Sequence, residues 1–223
     1  MTSNVLIAAF TAVFVIGCVA QVGRSHDAYV AGGLWHIHHV LQGAHVSGSL
    51  AYSGCGFDKR VPPDLPPFGV WVDSGTPEEI LSKLFSADPL MHVTREGRMI
   101  RMMEVNVPTD LLNLKIHHVS FFSPTTSDSD PVHGPRMALL AILESPEVVA
   151  FGKEQNIRGL PSPEKSVMLP GDCCGKGRIV QGKLDDVTVS QALDYVLQTF
   201  PGYWIYENCL TEDGDRSVYF NFE

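Results

Sequence analysis

An α+β fold built from two β-α-β-β units, bridged by a helical segment, is what the sequence predicts, and three observations carry that expectation. The first is a register of roles at a fixed offset of 112 residues. Thr76, Glu79, Ile80, Leu81, Leu84 and Phe85 lie over Thr188, Gln191, Ala192, Leu193, Val196 and Leu197, and Pro89, Met91 and Val93 lie over Pro201, Tyr203 and Ile205. Few residues are identical, so cap falls on cap, apolar on apolar and breaker on breaker, as when one supersecondary unit is used twice. The second observation is helix punctuation: Thr76 and Thr188 each precede an apolar stripe at helical spacing, with Glu79 or Gln191 three positions on to complete a capping box. The third is that strand-like runs follow each helix, at Met91 to Thr94 with Met99 to Val105, and at Tyr203 to Glu207 with Ser217 to Phe222.

Taken in order, the first unit is read over 70–122. It opens with a strand at Val70 to Asp73, Pro77 occupies the first helical turn, Asp88-Pro89 stops the helix, and Glu96-Gly97 turns the hairpin. A further strand is expected at Leu114 to Phe122, where His117 and His118 would point to opposite faces, one to the core and one to the surface. The bridge over 123–176 holds a polar loop, a nearly all-apolar helix at Pro135 to Leu143, and a second helix restarted by Ser145-Pro146. It then crosses through Pro- and Gly-rich sequence that carries Cys173 and Cys174. The second unit is read over 177–223, with the helix stripe Ala192, Leu193, Val196, Leu197 and Phe200. Ahead of both lies 24–69, rich in Gly, Ser and His and closed by Val61-Pro-Pro-Asp-Leu-Pro-Pro67. It reads as a flexible arm with one strand, followed by a stiff linker.

Composition bounds the function. The 223 residues are 44% hydrophobic and 18% charged, an ordinary globular balance with apolar surface enough for a core. A net charge of −9 without a cluster of Lys or Arg argues against nucleic acid and against docking on anionic lipid. Residues 1–23 read as an export signal: Val5 to Ala20 is apolar or small throughout, and Cys18-Val-Ala20 suits cleavage before Gln21. Two other readings remain open, a lipoprotein with Cys18 as its lipidated N-terminus and an uncleaved anchor over Val5 to Gly23. All three place the chain in the periplasm or envelope. Loss of Cys18 leaves Cys55, Cys173, Cys174 and Cys209, an even number that suits two disulfides in an oxidising compartment. Adjacent Cys173 and Cys174 are expected to bond outward, one to Cys55 and one to Cys209.

Candidate chemistry is sparse. His36, His38 and His39 form a histidine-rich stretch in which His36 and His38 would share a face if the segment were a strand, offering ligands to Zn or Cu. Ser162 and Lys165 match Ser-x-x-Lys, but in a Pro-rich crossing rather than at a helix start. No nucleophile elbow and no phosphate loop accompanies the predicted elements. Trp204, Tyr206, Tyr219 and Phe220 crowd the last hairpin and read as a partner surface, with Ser217 to Phe222 as an outer strand open to pairing.

Leu184-Asp-Asp-Val187-Thr188 through Ala192-Leu193 to Tyr203-Trp-Ile-Tyr206 resembles the short N-terminal domain of secretins and TonB-dependent receptors. The resemblance spans residues 184–222, and residues 70–105 echo it more weakly, with Ile80-Leu81 in place of Ala-Leu. It implies a periplasmic interaction module with no catalytic residues, here as an exported adaptor bound to a protein partner or to a second copy. The rival expectation, from a different class, is a small exported metal-binding protein using the His36, His38, His39 stretch.

Overall fold

The computed structural model describes residues 28–30, 34–53, 70–72, 75–121, 132–158, 160, 178–210 and 214–223. The expected export signal, the Pro-rich linker, Cys55, the polar loop after Phe121 and the crossing with Ser162, Lys165, Cys173 and Cys174 lie outside them. A six-stranded mixed sheet organises the chain, in the order β4 (Met91–Glu96), β5 (Met99–Glu104), β2 (Ser47–Tyr52), β11 (Tyr203–Leu210), β12 (Arg216–Phe222), β8 (Ile157–Arg158). Strand β2 runs parallel to both β5 and β11, while β4–β5 and β11–β12 are antiparallel hairpins. Sheet and helices together form the α+β architecture expected.

Both predicted helices form as their caps dictate. Helix α2 (Pro77–Leu84) and helix α5 (Val189–Thr199) each begin with a complete capping box, Thr76 with Glu79 and Thr188 with Gln191. Each box satisfies two backbone N–H groups that the first helical turn would leave without partners. The turn after β4 has Gly97 at φ 63°, followed by Arg98, the arrangement that suits a two-residue hairpin with glycine first.

The two units differ in what they do with these parts. Leu81 and Leu84 of α2, with its C-cap Phe85, pack with Ile37, Leu41, Leu50, Ile100, Met102, Tyr203 and Ile205 on one face of the sheet. Ala192, Leu193, Val196 and Leu197 of α5 pack with Ala51, Trp204, Tyr206, Val218 and Phe220 on the other. The helices of the two units therefore cover opposite faces, not one face as a stacked repeat would have it. The strands that precede them also stand outside the main sheet: β3 (Val70–Val72) pairs with β1 (Ala28–Val30), and β10 (Lys183–Thr188) pairs with β6 (Lys115–Ser120), while β7 (Val132–His133) and β9 (Ile179–Val180) form a further short pair. The order strand, helix, strand, strand is present twice, but neither copy closes into a sheet of its own.

The segment expected to be a flexible arm instead supplies the middle of the molecule. Helix α1 (Leu34–Gly43) buries Ile37 and Leu41, and β2 lies between the two hairpins with Gly48 to Tyr52 all buried. Small residues make this possible. A Cβ on Gly48 would stand 2.9 Å from Leu41 Cδ1 and 3.0 Å from the Ile100 carbonyl oxygen, so the Gly and Ser content that suggests a loop lets α1 lie against the strand. Helices α3 (Pro135–Leu143) and α4 (Pro146–Glu154) join α5 on its face, burying Ala138, Leu139, Ile142, Leu143 and Val148. Ser145 stands at the start of α4 as expected, but its hydroxyl is buried without a hydrogen bond rather than capping the helix.

Candidate functional site

Among the described residues, one side of the sheet is left uncovered at its β4 end. Strand β4 is outermost, with β5 on its inner side and no described strand on its outer side. Met91 and Val93 face α2, whereas His92, Thr94 and Glu96 alternate to the face occupied by α5. Helix α5 stops short of this edge. The space left is an open groove of about 580 Å³, floored by Arg101, Met103 and Trp204 and walled by Val107, Leu112 and Asn113.

Arg101 sets the electrostatics of that groove. Its guanidinium meets both carboxylate oxygens of Asp194, at 2.8 and 2.5 Å, and its Nε donates to Glu96 at 2.9 Å. Trp204 Nε1 donates to the same Asp194 at 2.9 Å, and the guanidinium lies 5.9 Å from the Trp204 ring centre. Burial is the largest single influence and pulls the Arg101 pKa down, but the hydrogen bonds and charges of Asp194 and Glu96 together outweigh it and hold the pKa above its ordinary value. The bidentate geometry fixes a planar cation where a lysine would remain mobile. Glu96 and Glu104 stand at the two ends of the hairpin, and Glu104 accepts the Ser53 N–H at 2.6 Å. The groove thus has Met103 and Trp204 beside an arginine neutralised by Asp194 and Glu96, and Glu104, directly opposite Met91, belongs to the α2 face.

A second polar network clamps the groove wall to the sheet. Tyr206 Oη and Asn208 Nδ2 both donate to the Pro108 carbonyl, at 2.9 and 3.2 Å, and Arg216 forks onto Asp110 at 2.6 and 2.5 Å. Arg216 Nε also donates to Asn208 Oδ1 at 3.1 Å. The Arg216 hydrogen bonds hold the Asp110 carboxyl below its ordinary range, and burial pushes the Tyr206 phenol up.

Across the start of β2, β5 and β11 lies another cleft, of about 840 Å³, lined by His38, His45, Arg98 and Arg178 among others. Helices α1 and α5 both end there, at Gly43 and Thr199, and neither carries a basic residue in its last turn.

The sequence-predicted site residues are dispersed. His36, His38 and His39 belong to α1, not to a strand: His36 is buried, His39 is exposed, and the rings of His38 and His39 meet edge to face at 6.2 Å. Helical spacing separates His36 from His38 by about 200° around the axis, so they do not share a face. Among the described residues no group of three His, Cys, Asp or Glu is arranged to hold a metal ion. Both His117 and His118 are exposed, contrary to the expected split, and they meet Asp186 at 3.0 Å and Asp185 at 2.6 Å across the β6–β10 ribbon.

Trp204, Tyr206 and Phe220, expected on a partner surface, are core residues at 1%, 0% and 7% exposure. Tyr219 is half-buried. Strand β8 pairs with the outer side of β12 only at Arg216 and Ser217, and no described strand pairs there with Val218 to Phe222. The cause is the position of β11, flanked by β2 and β12 and covered on both faces. A run of apolar residues on both sides of a strand is the signal of such a central position. Cys209 is the penultimate residue of β11 and is 9% exposed, while Cys55, Cys173 and Cys174 all lie outside the described residues.

The sequence marks a strand at Met91 to Thr94, within β4, but nothing in it singles out the β4 edge or Arg101. The local signal is the alternation of His92, Thr94 and Glu96 with Met91 and Val93, which marks a strand with one face left polar. Comparison with protein-family models, with curated proteins and with solved structures finds no match to this chain.

Proposed function

We propose that the chain is a non-enzymatic exported protein of the bacterial envelope that binds another protein, accepting an extended segment of it along the outer side of β4. The open edge carries this reading. Beside the two-residue turn, Glu96 and Met99 form a hydrogen-bonded pair, so Thr94 and His92 also bond inward to β5. The Val105 N–H to Leu90 carbonyl bond, at 3.0 Å, continues the same alternation. Val93 and Arg95 therefore direct their N–H and C=O groups outward. Such an edge favours pairing with another strand, and the adjacent groove can receive every second side chain of it. Exposed Leu90 and Val105 at the open end of the hairpin add apolar surface to the same region.

Placement in the envelope is supported by the charge-free apolar run from Val5 to Ala20.

The test uses two variants of one residue in the full chain. Arg95→Ala removes the 3.0 Å pair with Glu78 but keeps the outward N–H, whereas Arg95→Pro removes that N–H without taking a bond from β5. Protein captured from native membranes should survive the first substitution and be lost with the second. Retained binding by an Arg95→Pro protein with an unchanged circular dichroism spectrum would refute the reading.

A further inference from the structure

Independently of the β4 edge, we infer that the cleft across the start of β2, β5 and β11 binds a small organic anion, whose carboxylate or phosphate group is held by Arg98 and Arg178 beside His45. The state of the arginines carries this assignment. Among the described ones, Arg95, Arg101, Arg158 and Arg216 each pair with a carboxylate, and Arg136 is engaged as well. Only Arg98 and Arg178 keep guanidinium groups without a partner among the described residues, and both line this one cleft. Arg98 reaches it from the β4–β5 turn and Arg178 from the residue before β9. In a chain of net charge −9, the fold thus gathers its two free guanidinium groups in one place. Each presents a fork of N–H donors that matches a carboxylate or a phosphate.

The charges nearby leave that site cationic. Asp194 is the one acid among the described lining residues, and Arg101 and Trp204 already hold its carboxylate. The C-terminal ends of α1 and α5 oppose an anion by about half a negative charge each, less than two full positive charges. At α1 the last carbonyls are also occupied, because Ala44, His45 and Val46 donate their N–H groups to Val40, Gln42 and Leu41 at 3.2, 3.1 and 3.1 Å.

His45 is the second, independent observation. The bonds of His45 and Val46 close a Schellman turn, with His45 at the position that glycine usually takes. Its φ of 54° is left-handed, which disfavours residues with a Cβ even though histidine tolerates it better than most. Strain kept at a residue that lines a cleft points to a role in that cleft. The remaining wall suits an organic ligand rather than a bare ion: Val46, Met99, Leu197 and Pro201 are apolar, and about 840 Å³ admits a small molecule.

Isothermal titration calorimetry of the full chain with phenyl phosphate and with benzoate, against neutral benzamide, tests the inference. At least one anion should bind with a dissociation constant on the order of 1 mM, as ligands of this size do, and benzamide should not. The tighter of the two names the anionic group. Arg98→Gln and Arg178→Gln should each weaken it roughly fivefold, the double variant should lose it, and added salt should weaken it as well. His45→Gly should raise the melting temperature by relieving the left-handed backbone and yet weaken the anion, a split that a purely structural residue would not give. Silence from both anions up to roughly 10 mM, or benzamide bound as tightly as benzoate, overturns the inference. So does anion binding unchanged in the double variant or in His45→Gly. A double variant that melts far below the native chain, while both single variants bind normally, overturns it too, because the arginines would then serve the helix ends.

Discussion

Asp194 on α5 holds Arg101 on β5 by both carboxylate oxygens, so a side chain of the second unit anchors a strand of the first across one face of the sheet. The two residues stand 93 positions apart in the chain, and each is largely shielded, with side-chain exposures of 21% and 16%. Trp204 Nε1 bonds to the same carboxylate. One acceptor group therefore satisfies a cation and an indole together, in a setting where an unpaired buried donor is costly.

Asp194→Ala is expected to destabilise the protein by about 2–3 kcal/mol, below the full penalty for breaking a wholly buried pair because both partners retain some solvent. Asp194→Asn should cost less, since its amide oxygen can still accept from Trp204. Urea unfolding followed by tryptophan emission measures both effects. A cost under about 0.5 kcal/mol for Asp194→Ala would place the pair among ordinary surface contacts.

How much of this was legible follows from the range of each determinant. Helix starts depend on residues three apart, and both capping boxes at Thr76 and Thr188 form as the sequence indicates. The Glu96-Gly97 turn and the buried helix at Pro135–Leu143 are local for the same reason. Which face of the sheet a helix covers is not local. Equivalent stripes on α2 and α5 were equally able to pack on either side, and the crossing of the chain through β2 decides it. Burial of Trp204 and Tyr206 depends likewise on strands β2 and β12, more than a hundred residues apart in sequence. Arg101 gave no sign of its role because its partner lies on another unit.

Strand β2 offers the sharpest test of that non-local packing. Gly48→Ala would bring a methyl group to 3.0 Å from the Ile100 carbonyl oxygen, which belongs to the neighbouring parallel strand and can yield only by opening the ladder. Leu41 Cδ1, at 2.9 Å, can rotate away but at the expense of its place in the core between α1 and the sheet. The expected loss is about 1–3 kcal/mol, as for other overpacked cores. Gly43→Ala is the matched control, because a Cβ there meets nothing within 4 Å. Similar melting temperatures for the two variants would mean that α1 does not press on β2.

The acid response should be set in part by Asp110 and Arg216. The Arg216 hydrogen bonds, opposed by burial, hold the Asp110 carboxyl below its ordinary value in the folded chain. A carboxyl whose folded pKa lies below its unfolded value releases its proton more readily in the native state. Its contribution is therefore fully present above the unfolded pKa, about 3.9, and fades as pH falls through the folded value. With the side chain 46% exposed, solvent screening keeps that contribution small. Glu78, lowered chiefly by backbone hydrogen bonding, and Asp186, lowered chiefly by the His117 hydrogen bond, add losses of the same sign. Comparing the native chain with Asp110→Asn isolates the Arg216 partner from these. Urea midpoints of the two proteins should differ most near neutral pH, with the native chain the more stable. The difference should close as pH drops below about 4, because a protonated Asp110 and an asparagine are alike in charge. A gap that stays constant across that range would mean that Asp110 acts through its hydrogen bonds alone and not through its charge.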